Sequence, residues 1–320
     1  MRAIPWFILF AACDRTPPST DGSTSLDAPV GDDDTDTDDT DTDDTDDTDT
    51  APCDETVDAD GDGSNDCDDC NDDDPLVFPG ASERCNDADD DCDGAALPDE
   101  VAFDCTACDT AGFWQLTQGL QGNGLVGALH TLTEGQSCSD YSTATQFMFV
   151  ELDNHGGEVE CVYTGRTTPI TGNEKPDATD MNTEHSWPQS LGAEQEPARC
   201  DVHHLYPTDS DTNNTRANYP FGEVVTDTAP IDGGSRFGND ASGDRVFEPR
   251  DVHKGNVARS MLYFAMRYGY TLSSDELALY RAWSTLDPVD QTEIDRTLGI
   301  AAQQGVENPY VVCPWLVDSL

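Results

Sequence analysis

Three short runs decide how this chain is read: Glu184-His185-Ser186-Trp187-Pro188, Asp201-Val202-His203-His204-Leu205-Tyr206-Pro207 and Asn213-Asn214-Thr215-Arg216-Ala217-Asn218-Tyr219-Pro220-Phe221. Three of the six histidines fall in them, beside carboxylates, carboxamides and an arginine. A hard divalent cation takes oxygen ligands of these kinds, and a neighbouring imidazole titrates near neutrality and can accept a proton from water. The composition suits a hard divalent cation with a proton acceptor close by. A lone Glu-His pair is ordinarily surface or core polarity; the ordered polar runs downstream favour chemistry here.

The flanks read as mixed α and β. Gln146-Phe147-Met148-Phe149-Val150-Glu151-Leu152 is a β-type run, Asp153-Asn154-His155-Gly156-Gly157 supplies turn chemistry, and Val159 to Thr164 reads as the partner strand. Residues 165–183, broken by Pro169 and Pro176, read as loop. Between Val252 and Tyr268 the apolar residues Val257, Met261, Leu262, Phe264, Ala265 and Tyr268 recur at helical spacing. Ser274 is a candidate N-cap for a helix through Trp283, and Pro288 a candidate start for another over Val289 to Gln304. Tyr310, Val311, Val312, Trp315 and Leu316 are expected to pack onto the body, and Trp187, Tyr219 and Phe221 are assigned to the core.

Charge divides the chain. Of 320 residues, 66 are acidic and 15 basic, giving a net charge of −51. Residues 1–111 carry 36 acids and 3 bases, a net of −33; the remainder carries 30 and 12, a net of −18. Nucleic-acid binding by bulk positive charge is excluded, as is a multi-span membrane protein. An acidic front precedes a globular part large enough for one sizeable core.

The front has three sections. Residues 1–13 hold Arg2, the apolar run Ile4 to Phe10 and then Ala11-Ala12-Cys13. This run is too short to span a bilayer and reads as an export signal. Phe10-Ala11-Ala12-Cys13 resembles a bacterial lipobox, which implies a lipid anchor on Cys13; plain secretion is the alternative. Residues 14–52, almost wholly Asp and Thr from Asp32 to Thr50, form a self-repelling, disordered tether with nothing apolar to bury. In residues 53–109, Asp58, Asp60, Asp62, Asp66 and Asp69 occupy positions 1, 3, 5, 9 and 12 of a calcium-type loop, with Gly63 at the sharp turn. This segment predicts a small Cys/Asp-rich module binding Ca²⁺. Asp66-Cys67-Asp68-Asp69, Phe78-Pro79-Gly80-Ala81, Glu83-Arg84-Cys85 and Asp91-Cys92-Asp93-Gly94 resemble the metal-binding repeat of MopE-like bacterial surface proteins over about residues 58–100.

The globular part, residues 112–320, resembles the bacterial endonuclease I family of exported nucleases. Besides the three opening runs, Phe247-Glu248-Pro249, Lys254-Gly255-Asn256-Val257-Ala258-Arg259, Asp287-Pro288-Val289 and Asn308-Pro309-Tyr310 carry the resemblance, in one order across about residues 145–313. It implies an α+β fold: a ββα-metal (His-Me finger) core with additional C-terminal helices. By position it implies His185 as general base and Glu184 and Asn213 as protein ligands of one Mg²⁺. It implies an arginine on the phosphate or leaving group, with Arg199 the positional candidate and Arg216 the rival. The implied reaction is cleavage of DNA, and often RNA, with little sequence preference and 5′-phosphate ends. Asp201, His203, His204 and Asn218 are expected in supporting roles. Lys254 and Arg259 are read as solvated helix faces sooner than phosphate contacts.

Twelve cysteines suggest an oxidising compartment. Cys138, Cys161, Cys200 and Cys313 could close two bridges in any of three pairings, and the seven cysteines between Cys53 and Cys108 leave one unpaired or linked elsewhere. Because phosphate affinity normally comes from Lys and Arg, the bases Arg216, Arg236, Arg245, Arg250, Lys254, Arg259 and Arg267 predict a local basic groove. The partner implied is a nucleic-acid substrate, with membrane contact only through Cys13 and no obligate protein partner. The competing reading is a calcium-binding surface or adhesion protein with an inactive nuclease-like domain; a secreted phosphodiesterase acting on small nucleotides is a third. The intact set of Glu184, His185 and Asn213 favours the active exported endonuclease.

Overall fold

The computed structural model describes residues 56–65, 67–75, 77–81, 88–94, 108 and 112–320. The export signal, Cys13, the tether and Asp66 lie outside the described residues.

The centre of the α+β domain is a long helix, Lys254–Tyr268 (α5). Nearly every residue from Lys254 to Met266 is buried, because neighbours cover the helix on all sides. Gly269, at φ 73°, caps it in the left-handed conformation, which glycine adopts without Cβ strain. Before it come Phe113–Thr117 (α1), Gly122–Thr133 (α2), Tyr141–Phe147 (α3) and Ser210–Arg216 (α4); after it come Ser274–Leu286 (α6), Gln291–Gln304 (α7) and Pro309–Val312 (α8). The C-terminal Trp315, Leu316 and Val317 are buried in the same core as Leu125, Leu129 and Met148.

Two helix starts differ from the expected positions. The cap of α6 is Ser273, since its hydroxyl and the Glu276 carboxylate form a reciprocal capping box. Helix α7 starts at Gln291, because the Asp290 side chain accepts from the Glu293 amide. The larger correction is Gln146–Leu152, which is helical. It closes α3 and continues as a π-turn, Met148–Leu152. The Asp140 carboxylate accepts from the Thr143 amide at 2.9 Å and starts the helix. Ala144, Thr145, Met148 and Phe149 then bury one helical face. A short apolar run is ambiguous on periodicity alone, and the upstream cap decides it.

Strands form three small antiparallel groups. Asn154–His155 (β1), Glu158–Glu160 (β2) and Thr167–Pro169 (β3) make one, so the expected Val159–Thr164 strand is short and the expected loop contains β3. Thr226–Ala229 (β6), Arg236–Asn239 (β7) and Arg245–Glu248 (β8) make another. Between them lies the hairpin of Met181–His185 (β4) and Leu205–Asp209 (β5), in register from Met181 opposite Asp209 to His185 opposite Leu205. β5 runs directly into α4, giving a ββα unit.

Cys138 pairs with Cys200. Cys313 pairs with Cys108 from the acidic front, and Cys161 is buried and free. The two-bridge expectation for the globular part fails because one of its cysteines is drawn to the segment before it. In the acidic module Cys70 pairs with Cys92.

Candidate active site

The ββα unit brings Glu184, His185 and Asn213 together. Glu184 and His185 end β4 and are almost fully buried, at 1% and 6% exposure. Asn213 lies one turn into α4, and its Nδ2 donates to Asn182 Oδ1 at 2.7 Å and to the Thr183 carbonyl at 3.1 Å. With Nδ2 tied to β4, the oxygen acceptor Oδ1 remains for a ligand.

Glu184 is held from one side. Tyr163 donates its hydroxyl to Oε1 at 2.9 Å, and Arg216 Nη1 lies 3.3 Å from the same oxygen. Both neighbours engage Oε1, which leaves Oε2 available. Burial lifts the Glu184 carboxyl above its usual range, with Arg216 and Tyr163 acting against it. A buried carboxylate on β4 and a free carboxamide oxygen from a residue tied to the same strand are the ligand types that suit a hard cation that keeps most of its waters.

His185 Nε2 lies 3.3 Å from the Arg199 carbonyl. A carbonyl only accepts, so Nε2 carries the hydrogen and Nδ1 is the proton acceptor, 3.3 Å from the Gln189 amide nitrogen. Burial pushes the imidazole down to about 4, so it stays neutral near pH 7. Its ring stacks on Tyr141 at 5.4 Å and meets the His204 ring edge-on at 5.4 Å.

The two candidate arginines separate clearly. Arg216 is 1% exposed; Nη1 donates to the His185 and Ala217 carbonyls, Nη2 donates to the Ser186 carbonyl at 2.6 Å, and the guanidinium lies over Phe221. Arg199 keeps a side chain 39% exposed, 4.6 Å over the Tyr141 ring and 4.0 Å from Glu196.

Asp201 and His203 face away from the hairpin towards α5. Asp201 accepts from the Tyr263 and Tyr268 hydroxyls at 3.1 and 2.8 Å, and His203 Nε2 meets the Val306 carbonyl. His204 Nε2 donates to the Ala198 carbonyl at 2.6 Å and supports His185 by ring contact. Asn218 is exposed and donates to the Ser190 hydroxyl at 3.4 Å. Sequence reading missed Tyr141, Tyr163 and Gln189. They lie far from or between the recognisable runs, and only tertiary contact marks them.

The expected basic groove does not form. Five of its seven bases are ion-paired: Arg216 with Glu184, Arg236 with Asp227 and Glu248, Arg250 with Glu160, Lys254 with Glu248, and Arg259 with Glu293. Lys254 and Arg259 are buried, at 4% and 1% exposure, so neither is a solvated helix face. Each cation offsets a carboxylate inside the domain. Tyr219, expected in the core, is 39% exposed; Phe221 is buried and Trp187 packs against the core as expected.

In the acidic module, the Asp58 carboxylate accepts from the Gly61 and Gly63 amides at 2.7 and 3.1 Å. Oxygens of Asp58, Asp60 and Asp62 lie within 4.8 Å of one another. Burial, then the charges of Asp62, Asp69 and Asp58, lift the Asp60 carboxyl above its usual range. Asp89, Asp91 and Asp93 repeat the arrangement, with the Gly94 amide donating to Asp89 at 2.8 Å. This second loop has the same alternating spacing in the sequence as the first.

A hairpin followed by a helix, with a pinned histidine and a carboxylate–carboxamide pair, defines a metal-dependent nuclease of the ββα class. Known proteins make the assignment specific. The endonuclease I family model matches residues 121–314, and a MopE-type metal-binding motif matches residues 69–96. An extracellular ribonuclease of Bacillus subtilis (strain 168) is 30% identical over 238 residues, 66% of this chain and 79% of the relative. A periplasmic deoxyribonuclease of Aeromonas hydrophila is 32% identical over 111 residues, 35% of this chain and 46% of the relative. An extracellular deoxyribonuclease of the same organism is 31% identical over 111 residues, 35% and 48% respectively. The chain belongs to the endonuclease I family and is an endonuclease, a hydrolase acting on nucleic acid.

Proposed function

We propose that this protein is an exported, sequence-nonspecific endonuclease that hydrolyses phosphodiester bonds of DNA and RNA to 5′-phosphate ends. His185 Nδ1 takes the proton of the attacking water, while the Arg199 carbonyl keeps Nε2 protonated. Glu184 and Asn213 would hold one Mg²⁺ through their unpinned side-chain oxygens. When bound, that ion offsets charge on the scissile phosphate and on the leaving 3′ oxygen. Arg199 contacts the phosphate, being the candidate whose guanidinium substrate can reach. Arg216 holds Glu184 and the end of β4 in place.

The observation carrying the reading is that Glu184 and Asn213 each have one polar atom pinned by the fold and an oxygen left over, while a carbonyl holds His185 Nε2 and the Gln189 amide faces Nδ1, which leaves Nδ1 as the ring's proton acceptor. An inactive nuclease-like domain has no need of that division. RNA is included because the Bacillus relative that is matched over most of its length is named a ribonuclease. The names of the relatives place those proteins outside the cytoplasm, which supports export of this one. Among the described residues no helix is long and apolar enough to cross a membrane. A lipid on Cys13 is the membrane contact proposed for this protein. Residues 53–109 bind Ca²⁺ through Asp58, Asp60, Asp62, Asp66 and Asp69 and act as a stiffened spacer.

The test is digestion of plasmid DNA and of a structured RNA by purified protein with Mg²⁺, with chelator, and by His185→Ala. Cleavage of both that stops with chelator and in the variant is expected. Full activity in chelator would overturn the metal role, and substantial cleavage by a folded His185→Ala would overturn the base.

A further inference from the structure

Tyr141 makes contacts that its position in the sequence does not suggest. Its ring stacks on His185 at 5.4 Å and 29°, and the Arg199 guanidinium carbon lies 4.6 Å from the centre of the same ring. The base and the exposed arginine therefore share one aromatic neighbour. The Arg199 carbonyl also faces His185 Nε2 at 3.3 Å, which closes a three-membered set.

The local structure fixes that ring. Tyr141 opens helix α3, whose first turn is held by the Asp140 carboxylate on the Thr143 amide and hydroxyl at 2.9 and 2.8 Å. Cys138, three residues earlier, is bonded to Cys200, the residue after Arg199. The segment bearing the ring and the segment bearing the arginine are thus cross-linked beside the site. Arg199 needs such a support. Its Nε is buried without a hydrogen-bond partner, and its carboxylate neighbour Glu196 is 4.0 Å away. An aromatic face attracts a guanidinium and leaves its Nη donors free for a phosphate.

We propose that Tyr141 is a positioning residue: its ring sets the spacing between the His185 imidazole and the Arg199 guanidinium. The water activated at one and the phosphate held at the other then meet in line. This rests on the roles given above to His185 and Arg199. A misplacement of about 1 Å costs a catalytic site up to about a hundredfold in rate. Ring removal should therefore act on turnover more than on substrate affinity.

The experiment is steady-state cleavage of a fluorogenic oligonucleotide by the full chain carrying Tyr141→Leu, Tyr141→Phe, Arg199→Ala or Tyr141→Leu with Arg199→Ala, each checked by a thermal melt. Tyr141→Leu should lower kcat by about tenfold or more while KM moves by less than about threefold. Tyr141→Phe should recover most of that loss, because the ring is kept. The double variant should lose less than the product of the two single losses, because both act through one contact set. Tyr141→Leu at the parental rate would overturn the proposal. So would Tyr141→Phe as impaired as Tyr141→Leu, or losses that multiply. If Tyr141→Leu melts early, Tyr141→Met against Tyr141→Phe makes the same comparison. His185→Ala separates the two levels: if it still cleaves, the base assignment fails; if it is inactive while Tyr141→Leu is not, only the positioning role fails.

Discussion

Replacing Arg216 with Met tests whether this residue works inside the fold or on the substrate. The side chains of Arg216 and Glu184 are 2% and 1% exposed, and the guanidinium also serves the His185 and Ser186 carbonyls. Removing one partner of a buried ion pair costs about 3–5 kcal/mol, because the other charge is left uncompensated. For a domain of this size about 1 kcal/mol corresponds to about 2–4 °C in melting temperature, so Arg216→Met should melt about 6–20 °C below the parent. Part of that cost is the orphaned Glu184 charge. Adding Glu184→Gln should therefore destabilise by less than the two single effects combined, with a coupling of about 1–3 kcal/mol. The assay is a thermal melt of the parent, both single variants and the double, in chelator so that metal does not contribute. A melt within about 2 °C of the parent, or strict additivity, would refute the structural role. Unchanged stability with weakened substrate binding would return Arg216 to the phosphate.

Three further outcomes are expected. Arg199→Ala should lower turnover without moving the melt, and Arg199→Lys should rescue little, because an ammonium cannot both lie flat on a ring and fork onto a phosphate; an unaffected rate for Arg199→Ala would remove Arg199 from the site. Arg259→Met should lose about 3–5 kcal/mol of stability through its buried pair with Glu293 and leave KM unchanged; a raised KM with an unchanged melt would reinstate a phosphate contact. Burial holds His203 and His253 neutral by pushing each down to about 3 from an unfolded value near 6.5. Their contribution is fully present above about pH 6.5 and is lost as pH falls towards 3. Asp201, raised by burial to about 6, works oppositely: its contribution is present below about pH 4 and lost as pH rises through 6. A urea midpoint should fall as pH drops from 7 to 4, and more steeply in Asp201→Asn; a flat profile would contradict the buried neutral histidines.

What could be read in the chain was local. Glu184 and His185 are adjacent, Asn213 follows in a recognisable run, and helix α5 announces itself by apolar spacing. The first acidic loop shows its ligand positions in its spacing. The strand expected at Gln146–Leu152 was misjudged because a seven-residue apolar run fits either period, and the deciding cap at Asp140 lies outside it. The cations were misjudged for a different reason. A count of Arg and Lys along the chain says nothing about which carboxylate each meets, and Lys254 and Arg259 find Glu248 and Glu293 only after folding.

The sequence by itself determined the family, the acidic front and the three residues proposed to do the chemistry, because those signals sit in contiguous runs with fixed spacing. The tertiary structure decided which polar atom of each residue is pinned, which of the two arginines is exposed, and that Tyr141 lies against both His185 and that arginine. Such matters depend on contacts between segments such as Tyr163 with Glu184 and Tyr141 with Arg199. No periodicity or motif records these contacts, because the groups become neighbours only when the core closes.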